Sequence, residues 1–125
     1  MQRLDLDAAL ASAARARRWV RRALQAEHAS TDRGAELELL VTELVTNAVR
    51  YGGAPIALTL RATQRGIHVE VSDGSPVEPV LRRPPPESTG GRGVALVDAL
   101  ALRWGVRPGP GGGKTVWADL PDSAG

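Results

Sequence analysis

The chain has no cysteine and no phenylalanine, one tyrosine, one methionine and, at Lys114, a single lysine among 125 residues. The missing cysteines exclude a disulfide framework and a thiolate metal site. With only Tyr51 and three tryptophans, the chain lacks the stacked rings on which single-stranded nucleic acid is usually held. No apolar run approaches the roughly 20 residues of a membrane-spanning helix, and no signal-peptide pattern is present. The sequence therefore reads as cytoplasmic, with no membrane partner. A formal charge of +2 is too mild to argue for direct nucleic-acid binding. Every basic side chain except Lys114 is arginine, which reads as coding bias rather than chemistry. The length fits one domain, residues 1–125, with one core.

What is present falls into periodic segments. Residues 2–5 suit a short strand. Asp5 or Asp7 is a candidate cap for a helix reaching about Glu27, with Leu10, Ala13, Ala14, Val20 and Leu24 at near-helical spacing. Arg15, Arg17, Arg18, Arg21 and Arg22 lie inside it, as a solvated face or a docking face for an acidic partner. Ser30-Thr31-Asp32 offers the next cap, for a helix from about Gly34 to Tyr51. Leu37, Leu40, Val41, Leu44, Val45, Ala48 and Val49 form a wide apolar stripe, which makes this helix central. Gly52-Gly53 is its stop.

Two alternating strands follow, Pro55–Thr63 and Gly66–Asp73, turning at Gln64-Arg65-Gly66. Residues 74–92 lose all periodicity and carry five prolines, the mark of a long functional loop or lid. A short helix is predicted at about Val94–Leu102, then a hairpin of Arg103–Arg107 and Lys114–Leu120. The order β-α-α-β-β-α-β-β predicts an α/β two-layer sandwich: a mixed, mostly antiparallel sheet of about five strands with three helices on one face.

The hairpin turn, Gly109-Pro110-Gly111-Gly112-Gly113-Lys114-Thr115, imitates a phosphate-binding P-loop. That motif needs a glycine at position 108, where proline offers no N–H and cannot take positive φ. It must also open a helix, whereas Thr115 leads into the strand pattern Val-Trp-Ala-Asp-Leu. The string is a glycine-rich turn.

Four other places carry chemistry. Glu43 and Asn47 stand four apart on the second helix and share a face. Beside an apolar stripe they need partners or a wet cleft. They form either a hydrogen-bonded or exposed seam, or a general base beside an oxygen ligand for Mg²⁺, since amide carbonyls and carboxylates suit hard cations. Asp73, ahead of Gly74-Ser75, is a turn residue or a carboxylate that accepts from an exocyclic amine such as adenine's. Gly90-Gly91-Arg92-Gly93 precedes the third predicted helix. It is a hinge, or a set of backbone N–H groups offered to phosphates with Arg92 adding charge. His28 and His68 read as surface or structural residues.

Taken in order, Glu43-x-x-x-Asn47, Asp73-x-Ser75, Gly91-x-Gly93 and Gly113-x-Thr115 resemble the N, G1, G2 and G3 boxes of the GHKL superfamily of ATP-binding domains. The stretches "ELVTNAVRYGG", "VSDGSP", "GGRGVALVDALALRWGV" and "GGKTVWADL" are similar to the anti-sigma-factor serine/threonine kinases of the RsbW type. The resemblance implies the Bergerat α/β sandwich, with ATP and Mg²⁺ as cofactors. It implies Asn47 as the Mg²⁺ ligand, Glu43 as the base and Arg50 near the phosphates. Asp73, with Ser75 in the same box, would face the adenine amine. Thr115, beside Gly113, would support the base through water. Gly91, Arg92 and Gly93 would cradle phosphates under a lid at residues 74–92.

Two functions follow from the resemblance. One is an Mg-ATP-dependent serine/threonine kinase acting on a STAS-type anti-anti-sigma partner, which the retained Glu43 favours. The alternative is a nucleotide-gated binding module that sequesters a sigma factor or antagonist without phosphoryl transfer. Ser75-Pro76, where the family usually has a second glycine pair, favours the alternative. No phosphoacceptor-histidine helix is recognisable, which disfavours a two-component histidine kinase. The resemblance leaves a homodimer open.

Overall fold

The computed structural model describes residues 1–29, 31–76 and 100–121. Its framework is a five-stranded antiparallel sheet in the order β1-β2-β3-β5-β4, with β1 at Gln2–Leu6, β2 at Ile56–Thr63, β3 at Gly66–Asp73, β4 at Arg103–Pro108 and β5 at Lys114–Pro121. Every pairing among these strands is antiparallel, so the mixed sheet expected from sequence is wholly antiparallel here.

Alternation along the strands divides the sheet into two chemistries. Register aligns Leu4, Leu58, Val71, Val116 and Val106 in one inward row, and Leu60, Val69, Ala118 and Trp104 in the next. These rows meet α1 (Ala11–Ala26) and α2 (Gly34–Asn47). The core joins Ala16, Val20 and Ala23 of α1 to Leu37, Leu40, Val41, Leu44 and Val45 of α2. The predicted stripe of the second helix is therefore the buried one, with Val49 half-buried at its edge. No helix among the described residues is long and apolar enough to cross a membrane.

The helix boundaries differ from the sequence reading, each for a local reason. Asp5 and Asp7 do not cap α1. Asp5 is a strand residue opposite Ala57, and pairing of Leu6 with Ile56 postpones the helix to Ala11. The α1 N-cap position, Leu10, makes no side-chain cap bond and is exposed, as is Ala14. Ser12 Oγ donates instead to the Asp7 carbonyl at 2.7 Å. Arg15, Arg17, Arg18, Arg21 and Arg22 are all exposed.

The end of α1 is closed by His28 at φ 53. His28 N–H donates to the Gln25 carbonyl and Ala29 N–H to the Leu24 carbonyl, the bonding of a left-handed helix stop. Ahead of α2, Thr31 Oγ1 accepts from Arg33 N at 3.1 Å, and Arg33 occupies the cap position without a side-chain cap bond. Ser30 lies outside the described residues. Helix α2 ends at Asn47, short of the expected Tyr51, and passes into a π-helical turn at Ala48–Gly52. Gly53, at φ 116, then stops the chain by donating to the Ala48 carbonyl.

Most of the third predicted helix, and the loop from 77 onward, lies outside the described residues. Leu100 is helical, but Ala101 and Leu102 are not. Two long helices, rather than three, are thus seen among the described residues.

The sheet's outer face is polar. His68 lies between two carboxylates: Nδ1 is 2.6 Å from Asp119 Oδ1 and Nε2 is 2.7 Å from Glu70 Oε2. Arg103 bonds the other oxygen of Asp119 at 3.0 Å, and Arg107 that of Glu70 at 2.6 Å. Trp117 stacks on the imidazole with ring centroids 6.0 Å apart. These groups line a groove of about 540 Å³, in which His68 is buried and held by both carboxylates.

Burial pushes the Glu70 and Asp119 carboxyls up. Hydrogen bonds and charge from His68 and the paired arginine outweigh it, so both settle below the ordinary carboxylate range. Glu27 is held at about 2 by hydrogen bonds from Gln2, the N-terminal ammonium and the Ala62 N–H. A carboxylate depressed on folding contributes stability above its unfolded pKa and loses it as pH falls through the folded one. The denaturation midpoint is therefore expected to hold from neutral pH to about 4.5 and to fall from there toward 2. Glu27→Gln should flatten part of that slope, as chemical denaturation followed across pH would show.

Candidate functional site

The polar edge of α2 begins the site. Glu43 and Asn47 are both half-buried beside Leu44 and Ala48, which fix the helix against the core. The neighbouring threonines bond back to their own helix, Thr42 Oγ1 to the Glu38 carbonyl and Thr46 Oγ1 to the Thr42 carbonyl, each at 2.7 Å. Glu43 and Asn47 make no such bond. Neither side chain has a hydrogen-bond partner among the described residues. A carboxylate and an amide oxygen on one face are therefore free to meet something from outside. Arg50, three residues past Asn47 in the π-helical turn, is exposed.

That turn delivers α2 to the end of β3. Gly74 N–H donates to the Gly53 carbonyl at 2.8 Å, stitching the two segments together. The approach is so close that a Cβ on Gly52 would sit 2.5 Å from Asp73 Cγ and Oδ2. On the other side, a Cβ on Gly113 would collide with the Asp73 carbonyl. Gly52 thus lets backbone close against the Asp73 carboxylate, while Gly74 makes room for the Ala54 carbonyl and Gly113 for the Asp73 main-chain carbonyl.

Asp73 is 5% exposed. Its Oδ1 accepts from Ser75 N at 2.9 Å, so the Asp73-Gly74-Ser75 turn orients the side chain as well as ending the strand. Lys114, 7% exposed, places Nζ 2.9 Å from both Oδ1 and Oδ2. A longer contact of 3.4 Å joins Nζ to the Ser75 carbonyl. The only lysine in the chain is spent on the only fully buried carboxylate pair seen among the described residues.

This pairing is the part of the site that sequence reasoning missed. The expectation fell on Thr115. Register sets Asp73 opposite Lys114 and Ser72 opposite Thr115. Period-two alternation turns Lys114 inward with Val116, Ala118 and Leu120, and Thr115 to the opposite face. Thr115 is buried at 5% but is not brought to Asp73. The alternation itself carried the signal, since counting back by twos from Leu120 reaches Lys114. Asp73, Ser75 and Gly113 meet at the end of β3, while Glu43 and Asn47 lie along α2 and Arg50 in the turn that follows it. Gly91, Arg92 and Gly93, with residues 77–92 of the expected lid, lie outside the described residues.

Comparison with known proteins agrees with this architecture. Residues 6–119 match the family model described as a histidine kinase-like ATPase domain. Among solved structures, the chain is similar to that of the RsbU and RsbW domains of Rv1364c from Mycobacterium tuberculosis. The identity is 22% and the TM-score 0.64, over 96% of this chain and 33% of that one. This chain therefore spans about a third of the length of that structure. No curated protein matches.

The buried pair makes a stability prediction. Removing one partner of a buried ion pair costs about 3–5 kcal/mol, because the other charge is left unpaired. Lys114→Met should lose stability on that scale, and combining it with Asp73→Asn should restore much of the loss. Urea unfolding of the three variants measures both effects. A Lys114→Met protein as stable as the parent would show that the pair does not form in solution.

Proposed function

Because this chain belongs to the histidine kinase-like ATPase domain family, with the GHKL fold of its RsbW-type members, we propose that it is an ATP-binding regulator of the anti-sigma-factor kind. Its activity in this reading is Mg²⁺-dependent transfer of the γ-phosphoryl group of ATP to a serine or threonine of a STAS-type partner. The observation that supports it is the α2–β3 junction. There a half-buried, unpartnered Glu43 and Asn47 share a helix whose end is stitched beside the buried carboxylate of Asp73.

The donor set fits the nucleotide and its metal. Among the described residues, no group of three His, Asp or Glu side chains is placed to hold a metal ion, so these residues offer no protein cage of their own for a cation. Mg²⁺ suits such a site, since it is commonly held by one or two protein oxygens together with substrate phosphates and water. Asn47 Oδ1 is the oxygen available here. When bound, Mg-ATP supplies the transferable phosphoryl group and the charge neutralisation that such transfer needs. The chain's own residues do the rest. Glu43 takes the proton of the attacking hydroxyl, Arg50 brings positive charge toward the phosphates, and Asp73 accepts a hydrogen bond from the exocyclic amine of the base. Gly91, Arg92 and Gly93 remain the proposed phosphate cradle.

The second reading, a nucleotide-gated module that sequesters a sigma factor or its antagonist, is favoured by one feature. Ser75 N and Lys114 already occupy the Asp73 carboxylate, and Pro76 restricts the turn behind it.

Purified protein, labelled Mg-ATP and a STAS-domain partner separate the two readings. Label on a partner serine or threonine supports the kinase, and ATP binding without transfer supports the gated module. Absence of ATP binding at millimolar concentration sinks both. Asn47→Ala should abolish the Mg²⁺-dependent part of ATP binding by calorimetry; unchanged binding would remove Asn47 from the metal. Glu43→Ala should keep ATP binding and lower transfer by about 10²–10⁴-fold, the usual contribution of a positioned base. Undiminished transfer would remove it as the base.

A further inference from the structure

We propose that the outer face of the sheet is a docking groove for an acidic, extended segment of a partner polypeptide. Arg61 and Arg65 hold the segment on one rim, and Arg103 and Arg107 on the other. The proposal goes beyond the nucleotide reading and does not depend on it. His68, Glu70, Trp117 and Asp119 alternate along β3 and β5 with the inward Val69 and Ala118, so the groove lies on the face away from α1 and α2. An occupant there leaves Glu43 and Asn47 uncovered.

Charge complementarity carries the argument. The four arginines face two carboxylates, Glu70 and Asp119, in the groove lining, so positive charge exceeds negative by two before His68 is counted. Arg103 and Arg107 each bond a floor carboxylate through one nitrogen, at 3.0 and 2.6 Å. A guanidinium has five N–H donors, so most of theirs stay unused. Arg61 and Arg65 are exposed, and neither forms an ion pair among the described residues. Arg61, His68, Asp119 and Arg103 form one cross-strand row. Three strand spacings set its two ends about 14 Å apart, too far for one small anion to bridge. Side chains on one face of an extended chain recur about every 7 Å. Acidic residues four positions apart, on a segment laid across the strands, therefore reach both rims.

The floor selects a peptide over a nucleic acid. Glu70 and Asp119 keep 23% and 19% of their side-chain surface exposed, and an ionised carboxylate only accepts hydrogen bonds. A peptide brings backbone N–H donors to them along with its own carboxylates. A phosphodiester backbone brings acceptors alone and is repelled. Trp117 adds an apolar wall. It is stacked on His68, and Gly105 leaves room for it, since a Cβ there would lie 2.9 Å from the indole. Leu102, also in the lining, is 59% exposed. The two suit one apolar side chain of the same segment. A second copy of this chain, meeting the face across a two-fold axis, would set like-charged rims together.

The test is fluorescence anisotropy of the whole chain with a labelled nine-residue peptide that alternates glutamate and threonine around a central leucine. The same peptide with glutamine for glutamate, and a nine-nucleotide oligothymidylate, are the comparison probes. The wild type should bind the acidic peptide, more weakly as salt rises, and neither comparison probe. The double variant Arg61→Gln/Arg65→Gln should bind it about 3- to 30-fold more weakly, the span of two partly exposed charge pairs. Its urea midpoint and its response to Mg-ATP should match the wild type. If that variant does not fold, Leu102→Glu, at an exposed position, should weaken binding by adding a like charge to the groove. No binding of the acidic peptide at millimolar concentration overturns the proposal, as does unchanged affinity in the variants or equal binding of the glutamine peptide. Oligothymidylate binding as tightly as the peptide gives the face to nucleic acid and also overturns it. So does a wild-type dimer in sedimentation that the peptide does not displace and the double variant dissociates. Failure of the wild type to bind Mg-ATP overturns the nucleotide reading and leaves this proposal standing.

Discussion

The burial of α2 against the inward rows of the sheet is the constraint on which the site depends. Leu37, Leu40, Val41 and Val45 have almost no exposed surface, and a fully buried aliphatic side chain contributes about 1.5–3 kcal/mol. That grip leaves the helix one rotation about its own axis. Glu43 and Asn47 are then carried to the edge of the core, where a polar group persists only with a partner or access to water. The neighbouring threonines satisfy themselves against their own helix, while Glu43 and Asn47 stay available. The same packing that stabilises the fold sets Glu43 and Asn47 at its half-buried edge.

A second constraint operates where α2 meets β3. The π-helical turn and Gly53 redirect the chain so that Gly74 can bond to it, and glycines stand where any side chain would collide with Asp73. A carboxylate so enclosed needs a counter-charge, and Lys114 provides it from the adjacent strand. Such pairs seldom add net stability compared with an apolar substitute. Their worth lies in geometry: a carboxylate held in one orientation at the end of the sheet. The polar outer face, with its Arg103–Asp119–His68–Glu70–Arg107 chain, uses the same device where solvent is closer.

Much of this was legible in the chain. Alternation in Ile56–Leu60 and Ile67–Val71 specified two strands, and the stripe from Leu37 to Ala48 specified the buried helix, because period two and period 3.6 each follow from backbone geometry. The glycine turn at 109–113 was recognisable as a hairpin because Pro108 is incompatible with a phosphate loop. Helix starts were less legible. Asp5 resembles a cap in isolation, yet strand pairing with Ala57 claims it, and pairing is invisible until the partner strand is placed. The helix stop at His28, at positive φ, was not legible either, since glycine is the residue expected there.

The local rules of the sequence by themselves determined the strands and the buried stripe of the second helix, because periodicity and turn chemistry act within a few residues. They also determined that Glu43 and Asn47 share a face. Only the tertiary structure decided which residue meets Asp73. Lys114 lies 41 positions away, and one residue of register separates it from Thr115. Because strand side chains alternate in direction, that single step sends the ammonium to the carboxylate and the threonine to the other face of the sheet.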